Sequence, residues 1–483
     1  MVAAPAFIDR QAELRELNTL LDNPRPQLLV THGRRRVGKT RLLLHWAEQT
    51  GHPFMYWVAR REPPEAARRG LATVLWQWGR PGRDSSEIPS YGSWALLFEE
   101  MAQWIGSQRV IVILDEFPYA VEADPSLPSH LQAAWDMHLK NTTVFLVLAG
   151  SHIGMMVDLL NYDAPLYGRS TGQFPIGPLP FSALADFFPA YSPAERVATY
   201  AVIGGVPAYL ERFQADRSLG ENVRAHLFNR SGMFRNDPAV LIGELVRETR
   251  NYEAVVRAVA QGNHALTEIA RSAERSTSHV PVYVNQLIRL GLLERRLPAT
   301  VPPDERRSSK RGRYHLRDPY LRFYFRFIDP NLEMLEQGLT ELLWERIVEE
   351  FRAYVGGTGF EELCREWVLV QARKGRLPFQ PELVGSHWAP NAQVDVLAIN
   401  WREKSILLGE CKWGAQTVGR STVRELVEKA PLVAPGKDWQ IHYALFARSG
   451  FTDAARAEAD TVGASLVDLE TVDSALWEAL TEL

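Results

Sequence analysis

Short apolar runs alternate with amphipathic stretches in the first half of the chain. The runs at 28–30, 110–114 and 144–148 have the length of buried strands, and each is followed by polar residues or glycine. This alternation predicts β-α units around a parallel sheet, in which ligands bind beyond the carboxyl ends of the strands. Between about 180 and 235 the strand-like runs stop and short helical patterns follow, which we interpret as a helical lid.

The second half of the chain has a different order of patterns. Residues 252–316 read as three helices, an extended segment, a polar insert and a return strand, which is the outline of a winged helix-turn-helix. The insert at 301–312 is rich in proline, serine and charge, so we expect it to form the mobile tip of the wing. A long helix and a glycine-rich break at 356–359 precede a last region of helix, strands, and helix-strand-helix. We therefore expect three domains, at 1–235, 236–330 and 331–483.

Composition narrows the class of protein. The 483 residues carry a formal net charge of −4, so any surface for nucleic acid must be local. The only cysteines are Cys364 and Cys411, which excludes a disulfide scaffold and favours a reducing compartment. No apolar run is long enough for a membrane helix, and the first ten residues lack the pattern of a leader. We expect a cytoplasmic protein without a membrane segment.

A phosphate-binding loop follows the first predicted strand. Its glycines let backbone N–H groups point at phosphate oxygens, the lysine reaches the β- and γ-phosphates, and the threonine hydroxyl binds Mg²⁺. The pattern is Walker A, and a helical run follows it directly. It predicts ATP binding by Gly33, Arg34, Arg35, Arg36, Val37, Gly38, Lys39 and Thr40.

Further candidates for ATP chemistry follow the next two strands. Asp115 and Glu116 end the strand at 110–114, where the first carboxylate would bind the metal and the second would orient or deprotonate water. The stretch at 150–152, Gly-Ser-His after the strand at 144–148, could place a polar group beside the γ-phosphate, although an ordinary strand-to-helix turn fits the same residues. Arg169 is a candidate for stabilising charge in the transition state, or else a surface arginine.

Several segments together resemble the archaeal-type ATPases of the STAND/AAA+ branch of P-loop NTPases. These are the opening at 7–14, the loop at 33–40, and the stretches at 114–117, 166–169, 205–207 and 313–323. The resemblance implies a nucleotide-driven switch followed by a winged helix. It further implies that Phe7, Arg10 and Glu13 lie near the base of the bound nucleotide and that Arg10 takes part in ATP binding. Pro207, in the lid, would respond to the nucleotide.

Two carboxylates and a lysine mark the C-terminal region. Asp395 lies on the predicted strand at 394–399, while Glu410 and Lys412 lie two apart on the next strand and so share a face. Oxygen ligands from Asp395 and Glu410 would hold Mg²⁺ or Mn²⁺, and Lys412 would orient water or steady the developing charge. A further metal ligand would come from the preceding helix, either Glu361 or Glu362. The order of elements resembles the PD-(D/E)XK nuclease fold, and a solvated hairpin is the alternative.

Cations crowd the predicted wing, where neutralisation of phosphates would supply most of the affinity for nucleic acid. A solvated loop is the alternative interpretation. The residues predicted to bind DNA are Arg306, Arg307, Lys310, Arg311 and Arg313.

Together these patterns predict a P-loop α/β domain with a parallel sheet and helical lid, then an α+β winged helix, then an α/β restriction-endonuclease-like domain. We expect an ATP-hydrolysing switch that binds DNA and cleaves phosphodiesters with a metal-dependent nuclease domain. RNA is a possible substrate in place of DNA. The protein could also form homo-oligomers. The alternative is a regulatory ATPase whose C-terminal domain binds DNA or a partner without catalysis.

Overall fold

The computed structural model describes residues 7–82, 84, 87–246 and 248–481. Residues 1–6, on which part of the expectation about a leader depends, lie outside this set. The chain forms two compact units, the first made chiefly of Asp9–Leu179 and the second chiefly of Pro180–Gly205 and Tyr209–Leu483. In the described residues no helix is long and apolar enough to cross a bilayer.

The first unit is built on a parallel sheet, as predicted, and this sheet has five strands. Its strand order is β2-β3-β4-β1-β5, so β4 lies between β1 and β3. The strands are β1 (Gln27–His32), β2 (Phe54–Val58), β3 (Ile111–Asp115), β4 (Phe145–Gly150) and β5 (Gly172–Pro175). The helices are α1 (Gln11–Leu21), α2 (Lys39–Gln49), α3 (Pro64–Gly79), α4 (Trp94–Ile105), α5 (Phe117–Ala123), α6 (Leu127–Met137) and α7 (Ile153–Asp158).

Continuous apolar sequence explains the central strands of this sheet. Every residue of β3 and β4 is buried, which is the pattern of strands covered by helices on both faces. One core cluster contains strand residues such as Leu28 and Leu146 together with Trp94 and Phe98 of α4. The carboxyl ends of β1, β3 and β4 therefore have a fixed scaffold.

The second unit begins with helices. They are α8 (Leu184–Phe187), α9 (Pro193–Ile203), α10 (Pro207–Leu210), α11 (Leu219–Val223), α12 (Met233–Leu245), α13 (Thr249–Ala260), α14 (Leu266–Ser272), α15 (Val280–Arg289), α16 (Pro319–Phe323), α17 (Leu332–Glu336) and α18 (Thr340–Val355). Val206–Ala208, at the start of α10, belongs to the first unit. Short π-helical turns occupy Arg224–Phe228, Tyr324–Ile328 and Gly356–Phe360.

The helices predicted as a lid pack mainly within the second unit. Helix α9 packs against α16 and α18, and the Tyr354 hydroxyl donates to the Ala201 carbonyl at 3.0 Å. Since the apolar face of α9 finds its partners after residue 300, the two compact units divide near residue 180, and the predicted domain boundary at 235 stays a prediction. The segment predicted as a separate winged helix belongs to this same unit.

Three helices and a hairpin follow in the predicted order. They are α13, α14 and α15, then the antiparallel strands β6 (Leu293–Arg296) and β7 (Arg313–Leu316). The insert between these strands is tied down rather than projecting as a mobile tip. The Ala299 amide donates to the Ser386 carbonyl at 2.8 Å, and Val301 is buried. The apolar residues Ala299 and Val301 explain the difference, because they pack into the unit.

The C-terminal sheet is mixed, with order β12-β11-β10-β9-β8. Strand β9 is antiparallel to β8 and β10, whereas β11 is parallel to β10 and β12. The strands are β8 (Leu383–Ala389), β9 (Ala392–Asn400), β10 (Ser405–Lys412), β11 (Gln440–Ala447) and β12 (Ala464–Asp468). The helices of this region are α19 (Glu361–Arg373), α20 (Arg420–Val433), α21 (Asp453–Val462) and α22 (Leu469–Thr481).

Candidate functional site

The loop between β1 and α2 is shaped by residues that accept unusual backbone geometry. Gly38 caps α2 with φ +91°, a left-handed conformation that glycine adopts without strain. A Cβ on Gly33 would lie 2.1 Å from the Ile176 carbonyl oxygen, so only glycine fits there. Arg36 also has positive φ, at 72°, and Val37 is fully buried and anchors the loop. Arg34 and Arg35 complete the predicted phosphate cradle between these fixed points.

Lys39 is 5% exposed and its ammonium group is surrounded by oxygen atoms. Its Nζ donates to the carbonyls of Gly33 at 2.9 Å and Arg34 at 3.3 Å. A further bond, 2.9 Å long, goes to the Ser151 hydroxyl. The charge is thus held at the mouth of the loop by neutral groups, which a phosphate oxygen can replace.

Asp115 lies at the carboxyl end of β3 and faces the start of α2. The Thr40 hydroxyl donates to Asp115 Oδ2 at 2.5 Å, and the Tyr56 hydroxyl donates to the same oxygen at 3.2 Å. Burial and the neighbouring Asp115 raise the pKa of Tyr56, so this phenol stays protonated and remains a donor. A hydroxyl and a carboxylate at this separation form an oxygen donor set that suits Mg²⁺.

Glu116 is joined to Lys39 through Ser151. The Ser151 hydroxyl donates to Glu116 Oε1 at 2.7 Å, and its amide donates to Oε2 at 3.2 Å. Glu116 itself has φ 47°, and its amide donates to Asp115 Oδ1 at 2.9 Å. A non-glycine residue in this conformation is held by its surroundings, which is common at functional sites.

Sequence reasoning left the role of Ser151 open. The information that it lacked is the order of the strands in the sheet. Because β4 lies between β1 and β3, the residue that follows β4 reaches both the loop lysine and the acid after β3. The three apolar runs of the sequence do not reveal this order.

Arg10 is buried at the base of the loop and binds backbone rather than solvent. Its Nη2 donates to the carbonyls of Val37 at 2.8 Å and Gly177 at 2.7 Å. Its Nη1 pairs with Glu13 at 2.5 Å. In this arrangement Arg10 positions the phosphate-binding loop, and its predicted direct role with ATP stays a prediction.

Arg169 is occupied by an ion pair within the first unit. Its Nη2 lies 2.6 Å from Asp136 Oδ2, and its Nη1 donates to the carbonyls of Pro165 and Tyr167, both at 3.1 Å. The hydrogen bonds from Arg169 lower the pKa of Asp136. A role for Arg169 in the transition state would require these bonds to be exchanged, and it stays a prediction.

The C-terminal carboxylates meet where β9 and β10 pair. Asp395 Oδ2 accepts a hydrogen bond from the Cys411 amide at 3.0 Å, which fixes it beside Glu410. Glu410 is bound by two cations, Lys412 Nζ at 2.9 Å and Lys429 Nζ at 2.8 Å. Burial and the charge of Glu410 raise the pKa of Asp395. Sequence reasoning brought Asp395, Glu410 and Lys412 together and missed Lys429, which comes from α20.

The two acids at the start of α19 have different surroundings. Glu362 pairs with Arg296 at 2.8 Å and Arg322 at 3.3 Å, and these arginines outweigh burial and lower its pKa. Burial and Asp395 raise the pKa of Glu361 to about 8, and Arg365 lies 3.5 Å from its Oε2. Glu361 is therefore the helix acid on the side of Asp395. Across the described residues, no three His, Cys, Asp or Glu side chains gather as a ready metal site.

The predicted DNA-binding cations divide into two groups. Arg307 and Lys310 are exposed on the insert. Arg306 lies against the carbonyls of its own insert, and Arg311 donates to the Trp388 carbonyl at 3.0 Å. The guanidinium of Arg313 lies 4.9 Å from the centre of the Trp388 ring. Three of the five cations thus contact their own unit.

Comparison with known proteins agrees with the geometry of the loop. Residues 7–213 match a family described as an ATPase domain predominantly from Archaea, and residues 324–424 match one described as archaeal and bacterial proteins of unknown function. The uncharacterized protein MJECL04 of Methanocaldococcus jannaschii is 31% identical over 442 residues, covering 91% of this chain and 95% of that protein. The chain belongs to the family of this archaeal protein. It is an archaeal-type ATPase with ATP as its ligand.

A solved structure supports the fold of this ATPase. The Walker-type ATPase PABY2304 of Pyrococcus abyssi is 19% identical, covers 66% of this chain and 96% of its own, and has a TM-score of 0.50. The likeness in fold agrees with the five-stranded parallel sheet. The description of the second matched family assigns no activity to the C-terminal region.

Proposed function

We propose that this ATPase is a nucleotide-controlled protein that binds DNA and cleaves it at the C-terminal carboxylate site. The observation that carries the ATPase mechanism is the continuous contact from Lys39 through Ser151 to Glu116. It places the charge that binds the γ-phosphate two hydrogen bonds from the carboxylate that handles water. Stretching or breaking this contact when ATP binds would couple the nucleotide to the attacking water.

The roles in ATP hydrolysis follow from these contacts. Lys39 exchanges its carbonyl and hydroxyl partners for phosphate oxygens, and the loop amides hold the phosphates. Glu116 orients a water for in-line attack and accepts its proton. Thr40 and Asp115 would hold Mg²⁺, which supplies neutralisation of phosphate charge when bound. Ser151 keeps Glu116 turned towards the γ-phosphate.

Pro207 could transmit a change in the phosphate-binding loop to α10. A Cβ on Gly38 would lie 3.8 Å from Pro207 Cγ, within the first unit. The residues on both sides of Val206–Ala208 belong to the second unit. A change in the loop on hydrolysis would therefore act on α10, consistent with a nucleotide-driven switch.

The nuclease proposal rests on Asp395, Glu410 and Lys412. Two carboxylates supply oxygen donors that suit a hard cation, so Asp395 and Glu410 would hold Mg²⁺ or Mn²⁺, and the contribution of Glu361 from the preceding helix stays a prediction. That cation would supply Lewis-acid chemistry when bound. Lys412, held by Glu410 at 2.9 Å, would orient water or steady the charge on the phosphate. DNA would reach this site from α13–α15 and the β6–β7 hairpin, which have the element order of a winged helix.

A cleavage assay tests the nuclease. Labelled single- and double-stranded DNA and RNA are incubated with the full chain, Mg²⁺ or Mn²⁺, and with or without ATP. Asp395→Asn keeps an acceptor for the Cys411 amide and removes the charge, while Lys412→Ala removes the cation. Both should lose cleavage by at least about a hundredfold. Equal cleavage by wild type and both variants would overturn the assignment.

A second candidate function has its own support. The charge of Glu410 is already balanced by Lys412 and Lys429, and such a site can be purely structural. The chain would then be a regulatory ATPase whose C-terminal domain binds DNA or a partner protein. DNA binding in the absence of any cleavage, with ATP hydrolysis intact, would favour this function.

A further inference from the structure

A cavity of about 370 Å³ lies within the second unit, beside the carboxylates of the proposed nuclease. Its walls come from the β6–β7 hairpin, the π-helical turn before α19, and strands β8 and β9. The cations in these walls are Arg296, Arg313, Arg322, Arg326 and Arg365, against the acids Glu361, Glu362 and Asp395. Two further acids pair with these arginines from outside the lining, Glu294 with Arg296 and Glu350 with Arg326, so the affinity of the cavity for an anion depends on which arginine lacks a carboxylate partner.

Four of these five arginines have a carboxylate partner among the described residues, and Arg313 does not. Arg296 and Arg322 pair with Glu362, and Arg326 pairs with Glu350. Arg365 donates to the Asp395 carbonyl at 2.8 Å and is 3.5 Å from Glu361. Arg313 is over the Trp388 ring, which leaves the edge of its guanidinium available for hydrogen bonds. Arg313 and Arg365 are thus the cations best placed to receive a phosphate.

His387 adds a buried polar atom that lacks a protein partner. It is 5% exposed and lines the cavity, and its Nδ1 lies 2.7 Å from the Thr300 hydroxyl. Its Nε2 is buried without a hydrogen bond from any residue that the structure describes. Either atom can be the donor in this contact, and in the tautomer in which the Thr300 hydroxyl donates to Nδ1 the neutral ring carries its proton on Nε2, which is then a donor. A buried unpaired donor is unfavourable unless a ligand accepts from it.

Flat rings line the same cavity. The imidazoles of His264 and His315 are stacked with centres 4.3 Å apart and planes 23° apart. Burial and nearby arginines lower the pKa of both histidines, so their rings are neutral. Neutral rings and the Trp388 indole suit a nucleobase, which stacks on flat side chains without regard to sequence.

The geometry points to a pocket for one nucleotide unit that carries a phosphate, with the phosphate near Arg313, Arg365 and His387. The volume is at the lower end of that of small-ligand pockets, about 300–1,000 Å³, and cannot admit a duplex. A nucleic acid would therefore enter as an unpaired strand end, and a free nucleotide has the same chemistry. Because Asp395 forms part of the wall, this inference deepens the proposed nuclease and rests on it for its biological meaning.

Binding in EDTA tests the pocket apart from cleavage. Fluorescence polarisation compares hexathymidylate with a 5′-phosphate, with a 3′-phosphate and with no terminal phosphate, beside a blunt duplex, all with the full chain. One phosphorylated single strand should bind about tenfold more tightly than the unphosphorylated strand. Competition by thymidine 5′-monophosphate at equal affinity would identify a free nucleotide as the source, still in this pocket. Equal binding of all the single strands, or preference for the duplex, would overturn the proposal.

Variants locate the binding. His387→Asn retains a polar atom near the position of Nδ1 for Thr300 and removes Nε2, while Arg313→Gln removes the charge. Each should weaken binding of the phosphorylated strand about tenfold, with circular dichroism and melting confirming the fold. Arg402→Ala, in an exposed turn, should bind as wild type does. Unchanged binding in folded His387→Asn and Arg313→Gln would sink the pocket.

The two proposals can fail separately. Phosphate-dependent binding in EDTA without cleavage in Mn²⁺ would reject the nuclease and keep the pocket. Cleavage in Mn²⁺ without phosphate-dependent binding would reject the pocket and keep the nuclease.

Discussion

The ATPase site and the C-terminal carboxylate site differ in what balances their acids. At the ATPase site, Asp115 is bound by hydroxyl groups, and Glu116 by the hydroxyl and amide of Ser151. At the C-terminal site, Glu410 is bound by two lysines. Neutral donors orient a carboxylate and leave its charge, whereas cations cancel that charge. The acids of the first site thus keep their charge, whereas Glu410 of the second site would have to release a lysine in order to bind a cation.

The largest expected effect comes from removing the cation of the ATPase site. Lys39→Ala removes the side chain that connects the loop carbonyls with Ser151, so the γ-phosphate should lose its principal positive contact. ATP turnover should fall by about a thousandfold, measured as phosphate release. Lys140→Ala, on an exposed turn of the same unit, should retain wild-type turnover. Full turnover in Lys39→Ala would remove the mechanism proposed for this site.

A smaller effect separates hydrolysis from binding. Glu116→Gln can still accept a hydrogen bond from the Ser151 hydroxyl, but its amide cannot take a proton from water. Turnover should fall about a hundredfold while ATP affinity, measured by calorimetry, stays within about threefold of wild type. Glu122→Gln, exposed on α5, is the matched control. If ATP binding fell in step with turnover, Glu116 would be a structural residue.

The arrangement of the candidate ATPase site could be anticipated from sequence because its parts are local. The phosphate-binding loop is eight consecutive residues between a strand and a helix, and Asp115 ends a continuous apolar run. Such local patterns can be recognised without knowledge of the tertiary fold. The contact from Ser151 to Glu116 depends on the order of strands, which local hydrophobicity does not encode.

The features missed in the second half all depend on packing between distant segments. Lys429 reaches Glu410 because α20 packs on the sheet, and Arg311 binds Trp388 across 77 residues of sequence. The charged and proline-rich sequence of the insert at 301–312 suggests a free loop, whereas in the structure Ala299 and Val301 are buried. The boundary near residue 180 likewise follows from the partners of α9, which lie more than 100 residues away in the sequence.

The stability of the protein in acid should reveal the buried and positively charged surroundings of His315, which lines the cavity beside the second site. Burial and the charge of Arg296, together with His264, Arg322 and Arg365, lower the pKa of His315 to about 2. An unfolded histidine has a pKa of about 6.5, so below that pH the unfolded chain binds a proton that the native chain does not. This stabilising contribution is complete above pH 6.5 and is lost as the pH falls.

At pH 5.5 the loss should be about 1 kcal/mol for His315. His315→Gln, which does not titrate, should lose that much less free energy of unfolding than wild type between pH 7 and pH 5.5, measured by denaturant titration. His387, whose pKa burial and Arg311 lower to about 4, should behave in the same direction. An identical pH dependence in wild type and His315→Gln would show that the native ring is charged.

The smallest effect is the most direct test of the comparison between the sites. Lys429→Met removes one of the two lysines on Glu410, leaves Lys412 in place and keeps an apolar stem of similar length. If lysine and metal compete for this carboxylate, Mn²⁺ should bind about fivefold more tightly, as followed by electron paramagnetic resonance. Lys437→Met, in an exposed loop, should not change Mn²⁺ binding. Weaker Mn²⁺ binding in Lys429→Met would mean that Lys429 orients Glu410 for the metal, and cation balance would then not distinguish the two sites.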